Sequence, residues 1–277
     1  MIHVCRARSA LASFGLSSLG RKLTTSTKFS HLSSKSQLDS SKCKAIGIYF
    51  GTTSGCTEAA AGVIKDVMVS PYIYISVTGS SNPTLTWTHS LFLTLHFLFS
   101  TQPGTVGEIV DVSSADITDF PGFDGLIVGA PTWNTGADDM RSMTDWDDKL
   151  DDIRELDLDG KPVAVFGLGD SNGYGEYFCD AIEELHDAFA AAGANMIGYT
   201  SPEGYDFTDS KALREGKFLG LPLDATNEDD LTEGRVKKWT EQLVTEGMKS
   251  AWQKYLVSRN LLRKFSYKLE GNGTAGM

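Results

Sequence analysis

Residues 46–61 read IGIYFGTTSGCTEAAA. An apolar run closes at Phe50, a loop of glycine and hydroxyl residues runs from Gly51 to Thr57, and an alanine-rich helical start follows. Strand, tight loop and helix in that order build a parallel sheet, because a strand left through a helix is rejoined by a strand running the same way. The same unit puts backbone N–H groups at a helix N-terminus, where an anion can sit. No Lys or Arg stands in 51–57, so hydroxyls and amides would hold that anion by hydrogen bonds alone.

The rest of the chain repeats the unit. Apolar runs at 45–50, 108–112, 125–130, 162–167 and 196–199 read as strands. The runs GLIVGA and PVAVFG are continuously apolar, as strands covered on both faces are. Helices are expected over 57–68, 137–155, 177–192 and 227–246, with a polar turn-helix over 113–120. Met140, Met143, Trp146 and Leu150 would share one face of the second helix. Gly193 would stop the third. Leu231, Val236, Trp239 and Leu243 would mark the core side of the last. Alternation of this kind predicts a doubly wound five-stranded parallel α/β sheet with helices on both faces. Residues 201–223 break the alternation and read as an excursion from the sheet edge that returns through 218–223.

Three segments stand apart. Residues 1–42 hold seven basic residues and one acid, Asp39, amid Ser, Thr, Leu and Ala. That composition reads as an organelle transit peptide, plastid or mitochondrial, the alternative being a plain N-terminal tail. Residues 69–102 contain no Asp, Glu, Lys or Arg, and their apolar runs fall short of the ~20 residues a membrane helix needs. Val69-Ser70 can be encoded by GTAAGT and Gln102 by CAG, the two ends of an intron. The segment therefore reads as a translated intron whose removal joins Met68 to Pro103, or else as a loop insertion. Residues 247–277 form a basic tail to which no chemistry is assigned.

The overall charge of −11 hides this split. The chain has 25 basic and 36 acidic residues; the N-terminal segment takes seven and one, the tail six and one, leaving 12 and 34, a net −22 over 44–246. Such a body repels nucleic acid and anionic membrane and attracts basic proteins, although solvation alone also accounts for acidity. Cys5, Cys43, Cys56 and Cys179 are scattered without metal-ligand spacing, which points to a reduced compartment and no disulfide framework.

In an open parallel sheet, ligands bind beyond the carboxyl ends of the strands, where strand order reverses. Loops 51–57, 131–136 and 168–175 would all emerge there. The first is a phosphate cradle. The others each present one aromatic, Trp133 and Tyr174, flanked by Gly, Asn and Asp. Two aromatics across a slot can sandwich a flat ring, each contact giving about 1 kcal/mol beyond area burial. Amides near Asn134, Thr135, Gly169 and Asp170 could bond the ring's polar edge. A cradle for one phosphate beside a slot for a heterocycle describes a mononucleotide site.

These residues resemble the flavodoxins, in their long-chain form, over about 44–246 apart from 69–102. The match rests on IYFGTTSGCT at 48–57, APTWNTG at 130–136, GLGD at 167–170 with Gly173-Tyr174, and the excursion GYDF…GKFLGL at 204–221. The resemblance implies strand order 2-1-3-4-5 and a non-covalent FMN. Its phosphate would meet Thr52, Thr53, Ser54, Gly55, Cys56 and Thr57. Its inner face and edge would meet Pro131, Thr132, Trp133, Asn134, Thr135 and Gly136. Its outer side would meet Leu168, Gly169, Asp170, Tyr174, Tyr177 and Cys179. Cys56 and Tyr177 stand where family members often carry polar residues.

The resemblance further implies a low-potential one-electron carrier, with no catalytic residue and no metal. It would take electrons from photosystem I to ferredoxin–NADP reductase in the plastid stroma, as a monomer without membrane insertion, in place of ferredoxin when iron is scarce. The mitochondrion is the alternative compartment. The Asn134–Thr135 peptide, beside Gly136, could turn its carbonyl toward the ring nitrogen that gains a proton. Asp138, Asp139, Asp145, Asp147, Asp148, Asp151 and Asp152 would steer basic partners. Three alternatives stay open: an NAD(P)H:quinone reductase of similar fold, the FMN module of a larger reductase (for which the chain lacks room), and a binding domain without flavin.

Overall fold

The computed structural model describes residues 45–69 and 106–249; the expectations for 1–42, 70–102 and 250–277 lie outside the described residues. The apolar runs form β1 (Ile46–Phe50), β2 (Val106–Asp111), β3 (Gly125–Pro131) and β4 (Pro162–Leu168). They pair in parallel in the order β2-β1-β3-β4, and β5 (Asn195–Ile197) closes the far edge. The chain thus goes outward from β1 to β2 and crosses back to β3, so the strand order reverses between β1 and β3. There Phe50 lies opposite Gly129.

Helices cover both faces. Leu126 and Val128 of β3 pack with Trp146, Leu150 and Ile153 of α2 (Asp145–Arg154) and with Leu185 and Phe189 of α3 (Ala181–Ala191). Ile127, one residue out of phase, packs the other way, with Ile64 of α1 (Cys56–Val69) and Val236, Trp239 and Leu243 of α4 (Asp229–Glu246). Burial on both faces explains why these strands read as continuous rather than alternating apolar runs. Each such fully buried large side chain contributes about 1.5–3 kcal/mol relative to exposure.

Leu231, expected on the core side of α4, is instead exposed in its first turn, and the layout of the elements departs from the sequence expectation at four places, each with a local cause. Residues 113–120 hold no α-helix. Two 3-10 turns (Val112–Ser114 and Ile117–Gly122) replace it, because Asp111 and Asp116 accept the Ser113 and Thr118 amides and Pro121 offers no N–H. The second helix begins at Asp145, not 137, after Thr144 caps it by accepting Trp146 N–H at 3.4 Å. Met140 and Met143 therefore lie in the preceding loop and are exposed, not on a helix face. The third helix begins at Ala181, because Cys179 sits at φ 58° and breaks the turn.

The fifth strand position is shared, which is the fourth departure. β5 pairs with the first half of β4 (Ala164 opposite Ile197), and β8 (Leu221–Leu223) pairs with the second half (Phe166 opposite Leu221, Leu168 opposite Leu223). Between them the excursion folds as a small antiparallel hairpin of β6 (Leu213–Arg214) and β7 (Lys217–Phe218). Its return through 218–223 is as the sequence indicates. Gly220 permits it: a Cβ there would lie 2.2 Å from the Val165 carbonyl oxygen.

Candidate functional site

The loop after β1 is anchored at its first residue. Gly51 N–H donates to the Gly129 carbonyl of β3 at 2.9 Å, and a Cβ on Gly51 would lie 2.3 Å from Thr144 Oγ1 and 2.7 Å from Trp146 Cδ1. Gly55 takes the left-handed conformation (φ 85°) and gives its N–H to Thr52 Oγ1 at 2.9 Å. Ala59 N–H to Gly55 C=O then opens α1, which leaves the amides of the preceding turn aimed out of the helix end. Thr53 and Ser54 are exposed, while Thr57 is buried at the helix start. The result is a polar loop without Lys or Arg at the positive end of a helix dipole.

The loop after β3 is built around a residue the sequence reading passed over. Pro131 ends the strand, and Thr132 ties this loop to its neighbours: its N–H donates to Leu168 C=O at 2.9 Å and its Oγ1 accepts Ala181 N–H at 3.1 Å. Trp133 and Asn134 both give their N–H to the Arg141 carbonyl, at 2.9 and 3.1 Å. Arg141 itself is only 5% exposed. Its guanidinium donates to the carbonyls of Ala137, Asp138 and Asp180 and to Glu183 Oε2 at 2.7 Å, and its N–H to Glu184 Oε2 at 2.8 Å. Burial, only partly offset by hydrogen bonding to Arg141, holds the Glu184 carboxyl above its ordinary range; Asp180 is likewise raised by burial.

Folding the loop over Arg141 has a conformational cost. Met140 and Met143, on either side of the buried Arg141-Ser142 pair, adopt φ 53° and 50°. The left-handed region costs a non-glycine residue about 1–2 kcal/mol. Asp147 helps hold it: it accepts Ser142 Oγ–H at 2.6 Å and Met143 N–H at 2.8 Å. That carboxylate therefore holds the loop as well as adding to the acidic face. Asp138, Asp139, Asp145, Asp148, Asp151 and Asp152 are exposed, Asp138 beside Lys211 at 3.6 Å. Gly136 (φ 79°) is the third residue of a turn closed by Ala137 N–H to Asn134 C=O at 3.3 Å, a place that requires φ > 0. Turning the Asn134 carbonyl away would break that long bond.

The loop after β4 is fastened from below. Asp170 Oδ1 accepts Gly173 N–H and Asn227 Nδ2–H, and its carbonyl accepts Tyr174 N–H. Asp224 accepts the Ser171, Thr226 and Asn227 amides and the Asn227 side chain, at 2.8–3.0 Å. Burial would raise its carboxyl, but these donors outweigh burial and lower it. Tyr177 lies against Gly136, whose built Cβ would sit 3.4 Å from the ring, so the second and third loops touch. Cys179 corrects the expectation: its thiol is fully buried under Gly169, directed at the Gly167 and Leu223 carbonyls, with its pKa pushed up by burial. It supports the loop from inside and does not face a ligand.

The structure thus brings 51–57, 131–136 and 168–177 to one edge of the sheet. Trp133 is 49% and Tyr174 55% exposed, an unusual state for rings of that size. Arg141 and Asp224 are the functional supports that sequence reading missed. Among the described residues there is no group of three or more His, Cys, Asp or Glu that could hold a metal ion, and no helix long and apolar enough to cross a membrane.

Comparison with known proteins decides the family. The profile of the family described as Flavodoxin matches residues 101–239. A flavodoxin of Nostoc sp. is 38% identical over 203 residues, covering 73% of this chain and 97% of that one. The chain belongs to the flavodoxin family. Flavodoxin 2 of Escherichia coli is 34% identical over 203 residues, covering 73% and 95% of the two chains. Among solved structures, a Fusobacterium nucleatum flavodoxin bound to flavin mononucleotide superposes with a TM-score of 0.55 at 25% identity, covering 73% of this chain and 98% of that one. The flavodoxin fold accounts for the strand order, and the switch point of that fold is where the three loops meet.

Proposed function

We propose that this protein is a one-electron carrier working through a non-covalently held FMN, and not an enzyme with its own substrate. The observation that carries this reading is the pairing of a cation-free hydroxyl and glycine loop at the start of α1 with two exposed aromatics on the adjoining loops. The residues fit the group. Thr52, Thr53, Ser54, Gly55, Cys56 and Thr57 would hold the phosphate by hydroxyls and helix-end amides. Trp133 and Tyr174 would cover the two ring faces, with Pro131, Thr132, Asn134, Thr135, Gly136, Leu168, Gly169, Asp170 and Tyr177 along the edges. When bound, FMN supplies the chemistry, taking up and releasing single electrons. The chain's part is electrostatic: an acidic body with no cation at the phosphate disfavours added negative charge and so lowers the potential.

Titrating the flavin-free protein with FMN should quench flavin fluorescence and saturate at one FMN per chain. Trp133→Ala should weaken binding about tenfold, the scale of a lost aromatic contact of about 1.4 kcal/mol. An unquenched titration would sink the reading.

The acidic surface supports basic redox proteins as partners, with photosystem I as donor and ferredoxin–NADP reductase as acceptor the pair we propose. The composition of 1–42 supports a plastid address, and the uncharged run 69–102 supports a retained intron. Import of a reporter fused to 1–42, and transcript reads across codons 68–103, test these two proposals. Cytosolic retention of the reporter would reject the first, and reads that mainly retain 69–102 would reject the second.

A further inference from the structure

The large apolar side chains left exposed among the described residues are Trp133, Met140, Met143, Tyr174 and Leu231. All but Leu231 stand on the loops of the proposed FMN site. Trp133 and Tyr174 have a use there, as the walls of the slot; Met140 and Met143, 50% and 62% exposed, have none. Their exposure is built in. The backbone of the loop turns Arg141 and Ser142 inward and holds both methionines in left-handed conformations that side chains rarely adopt. The segment lies beside Trp133: Arg141 C=O accepts Trp133 N–H, and Met140 C=O accepts Asn134 Nδ2–H at 3.3 Å. Exposed carboxylates flank it at Asp138, Asp139, Asp145 and Asp148.

We infer that Met140 and Met143 form the apolar centre of a docking surface for a protein partner that presents an apolar patch inside a basic rim around its own redox group. The inference rests on the carrier reading above and names the contact that reading requires. The chemistry fits: methionine is unbranched and polarizable, and adapts to differently shaped partners. The carboxylates around it supply the complement to a basic rim and speed encounter, an effect that salt screens, whereas apolar contact survives salt. Placing the patch beside Trp133 brings the partner to the edge where an electron would leave.

The test uses the FMN-loaded full chain with ferredoxin–NADP reductase as probe, measuring the dissociation constant by titration at low and at high salt. NADPH-driven transfer, in which the reductase takes two electrons as hydride and passes one to each of two carrier molecules, is followed in parallel. Met140→Gln with Met143→Gln should raise the dissociation constant about tenfold at both salt concentrations, with FMN affinity unchanged. Asp139→Asn with Asp148→Asn should raise it at low salt only. Wild-type binding by the methionine double variant at high salt overturns the inference, as does an FMN-loaded wild type that does not bind the reductase. A concentration-dependent dimer abolished by the same substitutions would make the patch a self-association face, which also overturns it. A chain that takes up no FMN defeats the carrier reading, and the docking inference with it.

Discussion

Arg141→Met should lower folding stability by about 3–5 kcal/mol at neutral pH, the usual cost of removing one partner of a buried ion pair. FMN affinity should fall with it, by about tenfold or more. The guanidinium spans the loop carrying Trp133 and the first turn of α3, and its loss strands the Ala137, Asp138 and Asp180 carbonyls and Glu183. The deficit should be larger at pH 8 than at pH 5. Burial already lifts the Asp180 and Glu184 carboxyls, while Arg141 pulls both down. Without Arg141 their folded values rise further above the unfolded range near 4, so the folded state binds protons more tightly and stability is lost as pH rises through those values. Urea unfolding at the two pH values reads this directly. Arg141→Lys keeps a charge but not the five-donor fork, and should recover the pH response more fully than the stability. A methionine variant with wild-type stability at both pH values and wild-type FMN affinity would show that Arg141 positions nothing.

Why Arg141 escaped the sequence is instructive. One arginine in the acidic run ADDMRSMTDWDD reads as solvated charge, and only tertiary structure reveals that it is enclosed by α3. The same run reads as a helix from 137, because its apolar residues fall at helical spacing. The start signal was present: Thr144 followed three residues later by Asp147 is a capping pattern, which would have started the helix at 145. Asp224 was hidden in part for a related reason: Thr226 and Asn227 follow it in a local turn, but Ser171, which ties it to the third loop, lies 53 residues away. What was legible were the features with local causes. Double-sided burial writes itself as GLIVGA and PVAVFG, and the loop chemistry at 51–57, 131–136 and 168–175 stands in contiguous residues. The sharing of the fifth strand position was half legible. The apolar return 218–223 marked a strand, but its register against the second half of β4 depends on Gly220 meeting Val165.

The excursion and the Trp133 loop form one mechanical unit. Lys211 Nζ donates to the same Ala137 carbonyl as Arg141, at 2.8 Å, and Lys211 N–H to Asp180 Oδ1 at 2.8 Å. The 201–223 segment therefore braces the loop from outside the sheet while Arg141 braces it from within. Two cations on one strained loop explain how Met140 and Met143 can be held in left-handed conformations without relaxing into a longer α2.

Gly51→Ala should have the second large effect, and it separates the phosphate end of the site from the ring end. A methyl at position 51 meets Thr144 Oγ1 at 2.3 Å and Trp146 Cδ1 at 2.7 Å. Neither can yield freely: Trp146 is fully buried with Nε1–H on Gly129 C=O at 2.9 Å, and Thr144 caps α2. The loop must move instead, stretching the Gly51 N–H bond to Gly129 and displacing 52–57 from the start of α1. Overpacking of this kind costs typically 1–3 kcal/mol of stability. Its specific mark is on ligand choice. Riboflavin and FMN share the ring and differ in the phosphate, so the ratio of their affinities isolates the 51–57 cradle. In Gly51→Ala that ratio should fall at least about tenfold, equal to about 1.4 kcal/mol of lost phosphate binding, while riboflavin affinity changes little. Gly62→Ala is the matched control: it lies within α1 with nothing within 4 Å of its built Cβ, and should leave the ratio alone while adding up to about 1 kcal/mol of stability. An unchanged FMN-to-riboflavin ratio in Gly51→Ala would mean that the loop does not hold the phosphate, and the anion site would have to be sought elsewhere on the edge.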